Sequence, residues 1–181
     1  MDAYRAIITK RDTRSFTDQP VPPEALRRIL QAGRMAGSSK NVQPCRFIVI
    51  DDQQQKEAIA KCGDFAGWLP QAPVLVAIAL TDIGTRNDFD AGRAAQNMMI
   101  AAWGEGIASC PVSMHHVDCA RETLGLPEGW RVSIVIGFGY RAKPPKSVPE
   151  AARKPWDEYV SHNRYGVKWE PGRSNRAPLR D

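Results

Sequence analysis

Met35-Ala-Gly-Ser-Ser-Lys-Asn-Val-Gln-Pro-Cys-Arg-Phe-Ile-Val-Ile50 joins the end of one apolar-periodic segment to the start of another through a loop of small and polar residues. The run 47–50, apolar throughout and rich in β-branched residues, reads as a strand. Upstream, Pro22-Pro23-Glu24 opens a helix with proline in the first turn and an acid near the positive dipole end. Leu26, Ile29 and Leu30 form its buried stripe, and Gly33, seven residues after Leu26, permits a close approach. A connector between helix and strand needs only a turn. This one carries Ser38, Ser39, Asn41 and Gln43, which place hydroxyls, amides and backbone N–H groups at the mouth of a strand, where open sheets bind ligands. An ordinary Ser/Asn-rich connector is the alternative reading of the loop alone.

On the N-terminal side, Asp2 is a candidate N-cap for a first helix with Tyr4, Ile7 and Ile8 on one face. It gives way to Lys10-Arg11-Asp12-Thr13-Arg14-Ser15-Phe16. Three cations within five residues at a helix-to-loop junction can converge on an anion, and Arg offers the bidentate geometry that suits phosphate or carboxylate. A solvated turn with Arg–Asp pairing is the plain alternative. On the C-terminal side, Asp51-Asp52 caps a short polar helix in which Ile59 and Cys62 face inward. The segment 64–70 with Phe65 and Trp68 is either a lid or a packed loop. Pro73-Val-Leu-Val-Ala-Ile-Ala-Leu80 is apolar at every position, as expected of a central strand covered on both faces.

The segment 89–105, with seven Ala and Met residues over most of its circumference, predicts a long buried helix ended by Gly104 and Gly106. A short strand follows from Ile107 to Met114, then a helix capped by Asp118. His115 and His116, adjacent in sequence, point apart on any regular element, so no metal site is expected. The run 131–139 is the third clear strand. Its Gly137-Phe-Gly139 resembles a dinucleotide-binding glycine pattern, but Lys143-Pro144-Pro145 forbids the helix which that pattern requires. Beyond a Pro-rich link, a short helix after Pro155 leads into an irregular tail.

A chain of 181 residues fits one domain that buries roughly 70% of its unfolded surface. No apolar run approaches the roughly 20 residues of a membrane span, and Met1-Asp-Ala-Tyr-Arg-Ala lacks a signal-peptide pattern. The four cysteines are scattered without C-x-x-C spacing and read as reduced core thiols of a cytoplasmic protein. The net charge of +5 resides entirely after Tyr140, where ten basic residues face five acidic ones. Those cations alternate with Pro, Trp, Tyr and Glu rather than forming a block, so a small phosphorylated ligand or a partner subunit suits the tail better than nucleic acid. No nucleophile–base series, P-loop or carboxylate pair appears, so a bound cofactor is expected to carry any difficult chemistry.

Taken in order, the 10–16 segment followed by Val21-Pro22, the Ser38-Ser39-Lys40-Asn41-Val42-Gln43-Pro44-Cys45-Arg46-Phe47 loop, the Ala/Met helix, and Gly137-Phe-Gly139-Tyr140 with Arg153-Lys154-Pro155 resemble the FMN-dependent nitroreductase family in its short form. The family pattern is R-R-S-x-R-x-F at the first site and A-P-S-x-x-N-x-Q-P-W at the second. This chain departs from it with Lys10, Asp12, Gly37 and Cys45. The resemblance implies an α+β, three-layer α-β-α fold with a central mixed sheet, where alternating helices and apolar strands alone would suggest a parallel α/β sheet. It implies an FMN-binding domain at residues 1–160 and a C-terminal arm at 161–181 docking on the other subunit of a homodimer.

The resemblance further implies that Lys10, Arg11, Arg14, Arg153 and Lys154 neutralise the FMN phosphate, with Asp12 among them. Ser38, Ser39, Asn41 and Gln43 would meet the ribityl chain and ring edge, and backbone N–H groups near Val112 and Ser113 would donate to the flavin N5. No catalytic side chain is required. The implied activity is electron transfer in two half-reactions from NADH or NADPH to a nitroaromatic, quinone or similar small acceptor. Asp12 also resembles the related flavin-fragmenting, dimethylbenzimidazole synthase-like enzymes. A non-catalytic flavin-binding or redox-sensing protein, or a basic-tailed nucleic-acid or scaffold protein, are the readings from other classes.

Overall fold

The structure, a computed structural model, describes residues 2–81, 86–144 and 153–170, with Arg86 described for its backbone alone. The chain divides into two compact units, Met1–Pro145 and Lys146–Asp181. In the first, helices α1 (Ala3–Thr9), α2 (Pro23–Arg34), α3 (Gln53–Ala60), α4 (Arg86–Gly104) and α5 (Val117–Thr123) surround strands β1 (Arg46–Ile50), β2 (Val74–Thr81), β3 (Ala108–Val112) and β4 (Trp130–Gly139). In the second unit, α6 (Trp156–Tyr159) follows Pro155 as expected, and Trp156 lies 6.3 Å from Trp169. Residues 171–181 of the expected arm lie outside the described residues.

The sheet has the order β1-β2-β4-β3, and every strand pair in it is antiparallel. Both the parallel sheet suggested by helix–strand alternation and the mixed sheet implied by the resemblance are corrected here. Among the described residues, the one parallel pairing that joins this sheet is the isolated bridge between Asp12 and Ser109. Alternation misleads because α3 and α4 do not return the chain to a parallel neighbour. Helix α3 instead carries it from β1 to an antiparallel neighbour, and α4 carries it from β2 to β3, which runs with β2 but is separated from it by β4.

β2 is central, and its side chains divide the core in two. Leu75 and Ala77 pack with Ile59, Cys62, Leu69 and Val135. Val74, Val76, Ile78 and Leu80 pack with Ile29, Ala94, Met98 and Phe138 on the opposite face. Helices α3 and α5 therefore cover one face and α2 and α4 the other, giving three layers. Burial on both faces is the reason that the strand shows no polar alternation.

Helix α2 meets α4 at Gly33. A Cβ there would lie 2.2 Å from the Met98 Cε and 2.8 Å from its Cγ, so the glycine admits a side chain of α4 at the crossing. Phe16 and Trp68 sit 6.1 Å apart between their ring centroids, and Ala66 and Leu69 are fully buried. The 64–70 segment is thus a packed loop, although Phe65 stands 70% exposed.

Cys62 and Cys119 form a disulfide with Cα atoms 5.5 Å apart, which corrects the expectation of four reduced thiols. Spacing in sequence concealed it, because 57 residues separate the two cysteines and only the packing of α3 against α5 brings them together. Cys45 and Cys110 are free. A cross-link closing a loop of this size stabilises by about 2–4 kcal/mol. Cys119→Ser is expected to lower the unfolding free energy by that amount in denaturant titration without reductant, and dithiothreitol should impose the same loss on the parent chain. Equal stability of parent and variant would show that the cross-link does not form.

Candidate functional site

The N-terminal cations gather around the start of β3. Thr13 donates its N–H to the Ser109 carbonyl at 3.2 Å, beside the Asp12–Ser109 bridge. This anchor turns the chain after α1 so that Lys10, Asp12 and Arg14 surround the Cys110 thiol. Burial pushes that thiol's pKa up, and a hydrogen bond from Arg14 partly opposes the rise. Lys10 is largely buried and pairs with the Asp12 carboxylate, with its Nζ also 3.4 Å from the Met99 Sδ on α4. The substitution of Asp12 for the family's serine is therefore met within the segment: the added negative charge is held by the neighbouring ammonium rather than directed at an incoming anion.

Arg11 donates through Nη1 to the carbonyls of Ile8 and Lys10, each at 2.9 Å. It satisfies orphan acceptors at the C-terminal end of α1. Among the described residues, neither Arg11 nor Arg14 forms an ion pair with a carboxylate, so both guanidinium charges remain for an anionic ligand. The Ser109 hydroxyl is buried without a hydrogen-bond partner in the same region.

The 35–47 loop is held from within. The Ser38 Oγ accepts the N–H of Gln43 at 2.8 Å, and the carbonyls of Ser38 and Ser39 accept the N–H groups of Asn41 and Val42. Lys40, Asn41 and Gln43 have φ of 51°, 55° and 52°, in the left-handed region. Three non-glycine residues held there cost on the order of 1–3 kcal/mol each, a pattern that clusters at ligand-binding loops. The conformation leaves Ser39, Asn41 and Gln43 exposed and Ser38 half-buried.

Asp90 of α4 fastens the loop from below, accepting the Ser39 N–H at 3.3 Å. Neither Asp90 nor Ser109 was among the residues singled out from sequence. An acid on the apolar face of an Ala/Met helix was the available signal for Asp90; no sequence signal marks Ser109.

Asp90 and Met99 are nine residues apart on α4, roughly 13–14 Å along the helix axis. The loop and the N-terminal cations thus attach to one rigid element at well-separated points. Val112 lies opposite Val135 in the sheet and is buried, while Ser113 beyond it is exposed; a Cβ on Gly63 would stand 2.9 Å from the Ser113 carbonyl oxygen. Arg153 and Lys154 belong to the second unit, where Lys154 pairs with Glu158 at 2.9 Å. His116 contacts Asp64 at 3.0 Å, and His115 accepts the Asp64 N–H at 3.1 Å. No group of three metal-ligating side chains occurs among the described residues.

The model of the Nitroreductase family matches residues 7–64 and 62–140. The NADH dehydrogenase of Thermus thermophilus is 33% identical over 183 residues, covering 79% of this chain and 88% of that protein. The NADPH-flavin oxidoreductase of Vibrio harveyi is 24% identical, covering 91% and 75%. A solved nitroreductase family protein from Clostridium difficile superposes with a TM-score of 0.80 at 27% identity, covering 91% of this chain and 99% of that one. The chain belongs to the nitroreductase family, and its architecture is the α+β nitroreductase fold.

Proposed function

We propose that this chain is an FMN-dependent oxidoreductase that moves electrons from NADH or NADPH to a nitroaromatic, quinone or similar small acceptor. The observation that carries the reading is the pair Arg11 and Arg14, which form no ion pair with a carboxylate among the described residues, while Lys10 and Asp12 satisfy each other. Two guanidinium groups with nearby hydroxyl and backbone donors suit a phosphate monoester. Bound FMN would supply the two-electron chemistry that none of the side chains offers.

Within that reading, Arg11 and Arg14 hold the phosphate, and Lys10 adds positive potential damped by Asp12. Ser38, Ser39, Asn41 and Gln43 present hydroxyl, amide and backbone groups to the ribityl chain and polar ring edge. The backbone at Val112 and Ser113 provides donors where negative charge develops. Arg153 and Lys154, in the second unit, are further candidate cations for the phosphate. Residues 1–160 are the FMN-binding domain, and 161–181 an arm that docks on a second copy.

A homodimer also suits the exposed apolar side chains. Tyr4, Ile7 and Ile8 of α1 are 73%, 57% and 50% exposed, and Met35, Val42 and Phe89 are similarly open. The stripe expected to bury α1 therefore has no partner among the described residues, where a second copy would cover it. Among those residues no helix is long and apolar enough to cross a membrane. Use of NAD(P)H favours the cytoplasm, and the scattered cations of the tail disfavour nucleic acid.

The binding half of the reading is tested by titrating the purified chain with FMN while following flavin fluorescence. One FMN per chain, on a particle with the mass of a dimer, is expected. A chain that stays colourless and leaves added FMN unquenched would refute it.

A further inference from the structure

A cleft of about 180 Å³ lies on the inner side of the loop, lined by Gly33, Gly37, Pro44, Cys45, Phe47, Asp90 and Ala94 among others. Gly37 and Cys45, two of the positions where this chain departs from the family pattern, both face it. Its volume falls below the roughly 300–1,000 Å³ of sites for drug-sized ligands, so FMN does not fit it. It exceeds the ~150 Å³ of a cavity able to hold benzene. The cleft cannot hold the whole flavin, and Ser38 and Gln43, assigned above to the flavin, border it.

Its chemistry is mixed in a particular way. Pro44, Phe47, Ala94 and the Cys45 sulfur supply apolar, polarisable lining. Arg34 and Arg46 also line it, Arg34 donating to the Gln31 Oε1 and Arg46 to the carbonyls of Gln43 and Cys45. The Asp90 carboxylate, 6% exposed, completes the lining. A buried carboxylate can accept about four hydrogen bonds, yet Asp90 has the Ser39 N–H at 3.3 Å and Arg93 at a long 3.7 Å. Gly37 leaves room for Arg93, since a Cβ there would lie 2.7 Å from its Nη2. Because Arg93 already answers the charge of Asp90, a neutral N–H donor completes the carboxylate without leaving an unbalanced cation in the cleft. Burial followed by the negative charge of Asp90 raises the Cys45 thiol, which keeps the sulfur neutral and apolar toward a ligand.

We propose that this cleft binds a small planar heteroaromatic carrying one N–H donor, of the size of indole, with the N–H on Asp90 and the ring against Cys45 and Phe47. Indole itself is the probe, with indene as the isostere that lacks the donor. Calorimetric titration of the full chain should give one indole site, with indene binding at least about tenfold more weakly, the loss of a hydrogen bond to a charged acceptor.

Saturating FMN should leave the indole affinity unchanged, which separates this cleft from stacking at a flavin site. Cys45→Trp should abolish binding by placing its own ring in the cleft and should raise the melting temperature. Should that variant fail to fold, bound indole on the parent chain must still slow alkylation of Cys45 by N-ethylmaleimide, read by peptide mass. Absence of saturable binding, equal affinity for indole and indene, displacement by FMN, or alkylation of Cys45 indifferent to indole would each overturn the proposal.

Discussion

Arg14→Ala is expected to weaken FMN retention by about 1.5–3 kcal/mol, the range for hydrogen bonds to charged groups, or roughly 10- to 150-fold in the dissociation constant. Arg14 differs from its neighbours in how its charge is used. Lys10 spends its charge on Asp12, and Arg11 spends part of its donor set on the end of α1. Arg14 has no carboxylate partner among the described residues, and the anchoring of Thr13 to Ser109 fixes where it leaves the chain. Its side chain is exposed, so the substitution should change folding stability by no more than about 0.5 kcal/mol. FMN affinity and thermal stability therefore separate the ligand role from a structural one. Arg14→Lys should recover part of the affinity, since it restores charge without the bidentate geometry. An Arg14→Ala chain that retains FMN as the parent does would remove Arg14 from the phosphate site.

Gly139→Ala should destabilise the fold by about 1–3 kcal/mol through overpacking. A Cβ at this buried position would stand 2.5 Å from the Pro73 Cδ, 2.9 Å from its Cγ and 3.0 Å from the Phe16 Cδ1. The proline ring has no rotamer with which to retreat, so the backbone of β4 or of the residues entering β2 must move. Gly137 is similarly constrained, with a Cβ 2.8 Å from the Trp68 Cζ3 and 3.1 Å from the Ala72 Cβ. Chemical denaturation should show the loss at both positions. The Gly139 variant should also weaken FMN binding, since Phe16 closes the segment that carries the cations. Unchanged stability of both variants would mean that the close approach of Pro73 and Trp68 is not what these glycines serve.

These glycines show how much of the molecule was legible in its sequence. Their spacing imitates a nucleotide-binding fingerprint, and the prolines that follow were enough to reject it. What the sequence could not display was the reason for them, which is the passage of Pro73, Phe16 and Trp68 over β4. Local signals fared well where local physics decides. Asp2 and Asp52 cap α1 and α3 by accepting the N–H groups of Arg5 and Gln55, and the unbroken apolar run of β2 marked the sheet's centre. Strand direction was not legible, because alternating helices and strands are compatible with parallel or antiparallel returns. The pairing of Cys62 with Cys119 was hidden for a similar reason, since it depends on which helices share a face of the sheet.

The candidate site divides along the same line. The loop and the N-terminal cations announced themselves as clusters of donors and charge. Asp90 and Ser109 each act on a segment distant in sequence, the first on the loop and the second on the cation turn. Only the fold brings them there. The left-handed residues of the loop are likewise invisible in composition, apart from the tolerance of Asn41 for that region.

Electron transfer from a reduced nicotinamide to a small acceptor through bound FMN is the proposed activity of this chain. Its most direct test is anaerobic addition of NADH or NADPH to the FMN-loaded protein, followed by a nitroaromatic, with the flavin absorbance followed throughout. Stoichiometric bleaching by at least one nucleotide is expected, with full return of the absorbance on adding the nitroaromatic and the same FMN surviving repeated cycles. Flavin that neither nucleotide bleaches, or flavin consumed as it is reoxidised, would contradict it.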